Sequence, residues 1–331
     1  MESKNKLAVI ALGGNALLRD SQKGTIEEQE DNTTETLENI VFLLQQGYNI
    51  VLSHGNGPQV GNIVMRNDAG EQFYNIPQMP LDVCVADSQG GIGYMIERAL
   101  KNVLTQHGLQ REVLTLMTMV EVDPQDEAFS NPTKRIGKTV SKDDAQALSA
   151  AKGWSYKEKK KQVGGYRRVV PSPTPQKIMN CQVIEKNARE GTIIIAVGGG
   201  GVPVYRDQDN RIRPTEAVID KDLASALLAA EIGADEFYIL TDVPFVYANY
   251  GEPNQKVLEF LNYRDALQYY NLGTFGEGSM APKIKAALSF IEKGGQKSII
   301  TESKKLKDKA YGTKITQEYD ETDLHKYDAI I

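Results

Sequence analysis

Short runs of apolar residues alternate along this chain with longer stretches in which apolar positions recur every three or four residues. Leu7–Leu12 is apolar throughout and reads as a strand buried on both faces, ending in Gly13-Gly14-Asn15. Leu37, Ile40, Val41 and Leu44 follow at helical spacing, and Gly47 stops that helix. Residues 49–53 form a second strand that runs into His54-Gly55-Asn56-Gly57. A long helix over residues 83–104 and a strand over 113–120 come next. Residues 177–190 read as a helix stopped by Gly191, and 192–197 as a strand ending in the glycines at 198–201. A helix over 222–232, the strand Glu236–Thr241, a helix over 282–293 and a strand over 298–301 complete the series. Strands separated by helices predict an α/β fold, a three-layer αβα sandwich around a mostly parallel central sheet.

Residues 123–175 break this rhythm. They are rich in proline, carry a lysine run and the only tryptophan, Trp154, and lack sustained apolar periodicity. They are expected to form a small protruding subdomain, a lid, inserted in a domain spanning residues 1–316. Residues 317–331 then form a polar, acidic tail of unassigned role.

Composition narrows the partners. The 331 residues carry a net charge of −6, which argues against broad binding to nucleic acid or an anionic membrane. Cys84 and Cys181 stand far apart with no Cys/His ligand spacing, so neither a disulfide framework nor a structural zinc site is expected. No run approaches the ~20 apolar residues of a membrane span, and the apolar run after Lys6 is too short for a signal segment. A cytoplasmic protein is expected.

Three glycine-rich turns follow three of the expected strands: Gly13-Gly14-Asn15, Gly55-Asn56-Gly57 and the glycines at 198–201. Glycine lets backbone N–H groups approach an anion, and α/β ligands bind at the carboxyl edge of the sheet. Together the turns favour a site that handles phosphate or a nucleotide. Other motifs fail on context. Gly137-Lys138-Thr139 imitates the end of a Walker A loop but lacks its first glycine and follows no strand. Ala86-x-Ser88-x-Gly90 imitates a nucleophile elbow inside a helical pattern. The cations are more telling: Lys134 in the insertion, Lys221 beside Asp222 at a helix start, and Lys283 after Pro282.

Ala11-Leu12-Gly13-Gly14-Asn15-Ala16, Ser53-His54-Gly55-Asn56-Gly57-Pro58-Gln59-Val60-Gly61 and Asn131-Pro132-Thr133-Lys134 resemble carbamate kinase motifs, in the amino acid kinase family. So do Arg167-Arg168-Val169-Val170-Pro171-Ser172-Pro173, the glycines at 198–201 with Val202-Pro203, and residues 217–226. Leu240-Thr241-Asp242-Val243 and Gly278-Ser279-Met280-Ala281-Pro282-Lys283 complete the set. Relatives in the wider family usually carry a lysine two residues before the paired glycines, where this chain has Ala11. Carbamate kinases supply charge from an inserted subdomain instead, and Lys134 matches that lysine.

The resemblance implies reversible phosphoryl transfer between carbamoyl phosphate plus ADP and carbamate plus ATP, in the ATP-forming direction, by a homodimer. It implies catalytic roles for Lys134, Lys221, Asp222 and Lys283, with Asp222 orienting Lys221 or Lys283. Gly13, Gly14, Asn15, Gly55, Asn56 and Gly57 would hold the carbamate or carbamoyl phosphate. Gly199, Gly200, Thr241, Asp242, Met280 and Lys283 would hold the nucleotide, and Mg²⁺ would sit mainly on nucleotide phosphates with no protein ligand. Asp87, Gly164 and the Lys159-Lys160-Lys161 run depart from the family pattern. They keep open a kinase of another small carboxylate or carbamate-like acceptor, and a nucleotide-binding regulator impaired in turnover.

Overall fold

A computed structural model of the chain describes residues 5–19, 22–159, 162–276, 280–308 and 311–318. Its helices are α1 (Ile26–Gln45), α2 (Gly57–Tyr74), α3 (Leu81–Gln106), α4 (Lys142–Lys152), α5 (Cys181–Arg189), α6 (Lys221–Glu231), α7 (Tyr263–Asn271) and α8 (Ala281–Glu292). The main sheet has eight strands, in the spatial order Phe260–Asn262, Thr313–Thr316, Lys297–Glu302, Glu236–Thr241, Leu7–Leu12, Asn49–His54, Ile193–Ile195 and Val113–Thr115. The last six run parallel, and Thr313–Thr316 pairs antiparallel to Lys297–Glu302.

Leu7–Leu12 shows why the run is apolar throughout. Leu7, Val9 and Ala11 pack with Leu227 of α6 and Ile284 of α8, while Ala8, Ile10 and Leu12 pack with Ile40 of α1 and Met95 of α3. A strand covered on both faces has no use for a polar position. The three layers are therefore α1 and α3, the sheet, and α6 and α8. That layering, with a mostly parallel centre, is the α/β sandwich expected.

Two expected elements differ. The strand expected over 113–120 is two strands, Val113–Thr115 in the main sheet and Met119–Val122 in a four-stranded sheet beside Val202–Arg206 and Pro175–Ile178. Leu116 to Thr118 carries the chain from one sheet to the other, and Gln89 clamps Thr118, accepting from its N–H at 2.9 Å and donating to its carbonyl at 3.1 Å. The helix expected over 177–190 starts only at Cys181. Pro175–Ile178 is a strand, and Asn180, at φ +61°, turns the chain into α5.

Within the stretch expected as an insertion, Lys134–Val140, Ser155–Lys159 and Gln162–Val170 build their own three-stranded antiparallel sheet, with α4 packed on it. Its first strand lies along α2. Gly61 and Gly137 meet there so closely that a Cβ on Gly61 would overlap the Gly137 backbone. Ile136 is buried in a small cluster with Val60, Val170 and Val218, and Lys152 bridges Asp68 and Glu71 on α2, each at 2.9 Å.

Candidate active site

The carboxyl ends of the parallel strands open onto a crevice of about 750 Å³. The turns that leave these strands build its wall: Gly13 and Gly14 after Leu7–Leu12, Gly55, Asn56 and Gly57 after Asn49–His54, and Thr241 and Asp242 at the end of Glu236–Thr241. Such an edge is where ligands of open parallel sheets bind. Lys134 reaches the wall from the three-stranded sheet, Lys221 and Asp222 from the first turn of α6, and Pro282 and Lys283 from the first turn of α8.

Asp222 is the electrostatic centre. It is 4% exposed, and one carboxylate oxygen takes Lys221 Nζ while the other takes Lys283 Nζ at 2.9 Å. Burial works against the ionised Asp222, yet the two ammonium groups hold it well below the usual carboxylate range. Burial also pulls the Lys221 ammonium down, reinforced by the charge of Lys283 and opposed by Asp222. Lys283, subject to the same burial, is held above its ordinary value by Asp222. The opposite directions follow from the neighbouring charges: Lys221 feels the like charge of Lys283, whereas Lys283 is raised by Asp220 and Asp242 as well as Asp222. Two ammonium groups fixed by one carboxylate make a preorganised positive wall, the arrangement that stabilises charge on a transferring phosphoryl group.

The neighbouring Asp220 caps α6. Its Oδ1 accepts from the N–H groups of Asp222 at 2.9 Å and Leu223 at 3.4 Å, and its Oδ2 accepts from Lys134 Nζ at 2.7 Å. Nothing local marks Asp220 as more than a helix cap, and its partner lies 86 residues away.

The glycine turns are shaped by close approach. At Gly13 a Cβ would overlap the Leu240 carbonyl oxygen, so only glycine lets the first turn sit against the Glu236–Thr241 strand. Val197, Gly199, Gly200 and Gly201 all have positive φ, from +47° to +95°. Val197 is β-branched in the left-handed region, a conformation tolerated where surroundings impose it. Its N–H donates to Thr118 Oγ1 at 3.1 Å, inside the Gln89 clamp.

His54 is buried under these turns. Its Nδ1 lies 2.9 Å from the Gly55 carbonyl oxygen, and its ring fills the space beside Gly198. Burial, aided by the charge of Lys221 and opposed by the Gly55 carbonyl, pulls the imidazole from 6.5 down to about 4. A depressed histidine leaves the unfolded chain binding the extra proton, so stability is complete above pH 6.5 and lost as pH falls toward 4. His54 should contribute a fall of about 3 kcal/mol to urea unfolding over that window. A His54→Asn variant should lose about that much less than wild type. An equal acid loss in both proteins would contradict a buried neutral His54.

Of the residues expected at the site, Gly13, Gly14, Gly55, Asn56, Gly57, Lys134, Gly199, Lys221, Asp222, Thr241, Asp242 and Lys283 all line the crevice. Gly200 does not; it backs onto the Ile219 carbonyl and shapes the turn from behind. Met280 precedes α8, half-buried against the core on that side of the sheet. The Asn15 side chain, Gly278 and Ser279 lie outside the described residues, as does the expected tail from residue 319. Arg19, Glu35 and Lys304 also line the crevice, at its α1 side, without having been expected there. Among the described residues no group of three or more His, Cys, Asp or Glu could hold a metal ion.

A doubly wound sheet whose carboxyl edge carries amide-lined turns and a locked pair of lysines defines a phosphotransferase of the kinase type. The chain matches the amino acid kinase family over residues 6–302. It belongs to that family, on the carbamate kinase branch. A carbamate kinase from Pyrococcus furiosus is 46% identical over 94% of this chain and 98% of its own length. One from Trichomonas vaginalis is 42% identical over 88% of this chain and 93% of its own. The solved structure of a carbamate kinase from Giardia lamblia bound to AMP-PNP superposes with a TM-score of 0.86 at 39% identity, covering 95% of this chain and 99% of that one.

Proposed function

We propose that this protein is a carbamate kinase, transferring a phosphoryl group between carbamoyl phosphate plus ADP and carbamate plus ATP. The observation that carries the reading is where the third cation comes from. Ala11 is fully buried in the central strand and offers the crevice no charge, while Lys134 of the inserted sheet lines it. A kinase of the wider family with its lysine on the first strand would need no such delivery.

Gly13, Gly14, Gly55, Asn56 and Gly57 are assigned to the carbamate or carbamoyl phosphate, with Asn15 beside them. Gly199, Gly200, Thr241, Asp242, Met280 and Lys283 are assigned to the nucleotide; that a nucleotide is bound at all is supported by the relative solved with AMP-PNP. In-line transfer needs little covalent help, so the residues contribute position and charge. Lys134, Lys221 and Lys283 surround the transferring group, and Asp222 keeps two of them aimed. Asp220 and Asp222 are committed to lysines, so Mg²⁺ would be held by nucleotide phosphate oxygens, where it neutralises their charge.

The inserted residues 123–175 serve as a lid on the domain of residues 1–316. No helix among the described residues is long and apolar enough to cross a membrane; the place assigned to the enzyme is the cytoplasm. A homodimer is supported by the outer face of α3, where Val83 and Tyr94 are exposed around Gly90 and Gly91. The test of substrate class is ADP formation from ATP with a panel of acceptors. Carbamate should be used, and acetate, glutamate and aspartate should not; turnover of any of these in place of carbamate would overturn the reading.

A further inference from the structure

Resting on the carbamate kinase reading, we propose that Asp220 is a positioning residue that holds Lys134 at the crevice, so that the inserted sheet delivers its ammonium at a fixed place. Asp220 divides its carboxylate between two jobs. Oδ1 caps α6, the helix that presents Lys221 and Asp222, and Oδ2 accepts from Lys134 Nζ at 2.7 Å. One side chain thus references the lysine of the insertion to the helix bearing the other charged groups.

The surroundings make this link the inner anchor of the insertion. Its polar and backbone anchors named above lie on α2, the Gly61–Gly137 contact and the bridges from Lys152 to Asp68 and Glu71, while Ile136 and Val170 share a buried cluster with Leu81, Cys84 and Val85 of α3. Those contacts fix the body of the inserted sheet. Toward α6 the chain is joined through Ile136, packed with Val218, and through the Val218 N–H, which donates to the Pro171 carbonyl at 3.0 Å. Neither reaches the Lys134 head. A four-carbon stem leaves an ammonium free to sweep several ångströms, and the Lys134 side chain is 28% exposed. Among the described residues, the Asp220 carboxylate alone restrains its end. Misplacing a reacting group by about 1 Å can cost ~10²-fold in rate, so such a restraint matters to catalysis.

The two jobs can be separated. Asparagine caps helices about as well as aspartate, so Asp220→Asn keeps the α6 cap and removes the charge that holds Lys134. The experiment compares wild type, Asp220→Asn, Lys134→Ala and the double variant, measuring kcat and KM for carbamoyl phosphate and ADP together with the thermal midpoint. Asp220→Asn should lower kcat at least ~10-fold with the fold retained, a thermal midpoint only modestly lowered by the lost ion pair, and an unchanged KM for ADP. In the Lys134→Ala background the same substitution should change kcat less than about twofold, because the group it positions is gone. An equal loss of kcat in both backgrounds would overturn the proposal, as would a kcat within about twofold of wild type for Asp220→Asn alone. A wild-type protein that forms no ATP from carbamoyl phosphate would instead refute the carbamate kinase reading.

Discussion

Replacing Lys221 or Lys283 with alanine should lower ATP formation from carbamoyl phosphate and ADP at least ~10²-fold while the fold survives. Each ammonium faces the crevice and is fixed before any ligand arrives, so it needs no reorganisation when charge develops on the transferring group. Removing one preorganised donor of this kind costs roughly 3–4 kcal/mol of transition-state stabilisation. The fold should persist because Asp222 binds both lysines: with either one truncated, the other still compensates its buried charge. Steady-state kcat and circular dichroism of the two variants check this together. Rates near wild type in both would remove these lysines from the chemistry.

Asp222→Ala should be more severe, because it damages both stability and rate. Its removal strands two ammonium groups whose side chains are only 12% and 15% exposed. Breaking a buried ion pair by deleting one partner costs about 3–5 kcal/mol, since the charge left behind has neither water nor a counter-ion. The same loss frees Lys221 and Lys283 to repel each other and to move, so kcat should fall at least ~10³-fold. Asp222→Asn separates the two effects, restoring volume and one acceptor but no charge. It should recover part of the stability and little of the rate. Denaturant unfolding and kcat measured on both variants decide the matter, and a stable, active Asp222→Ala protein would show that the triad is not the centre of the site.

The reach of local pattern, and its limit, are visible in particular elements. Leu7–Leu12 was legible because burial on both faces leaves no polar residue in the run. Helix α2 was not: of its 18 residues only Val60 and Gly61 are buried, so its sequence carries no apolar stripe. The break at Leu116 to Thr118 was hidden for the opposite reason, since apolar residues continue while the chain changes sheets. The site divides in the same way. Glycine turns and a lysine after a proline at a helix start are local signals, and they found most of the crevice wall. Asp220 escaped because a capping aspartate before a helix is commonplace, and only the fold brings Lys134 to it. Gly200 shows the limit of grouping: four glycines share one turn, but of the four only Gly199 lines the crevice, and a Cβ on Gly200 would meet the Ile219 carbonyl behind it.

In the proposed function, this crevice transfers a phosphoryl group between carbamoyl phosphate and ADP with help from Lys134. The most direct measurement is ATP formation from carbamoyl phosphate and Mg-ADP by the full chain, with Lys134→Ala assayed beside it. The wild-type protein should turn over, and the variant should lose at least ~10-fold. ADP binding without ATP formation by the wild-type protein, or equal rates in the two, would contradict it.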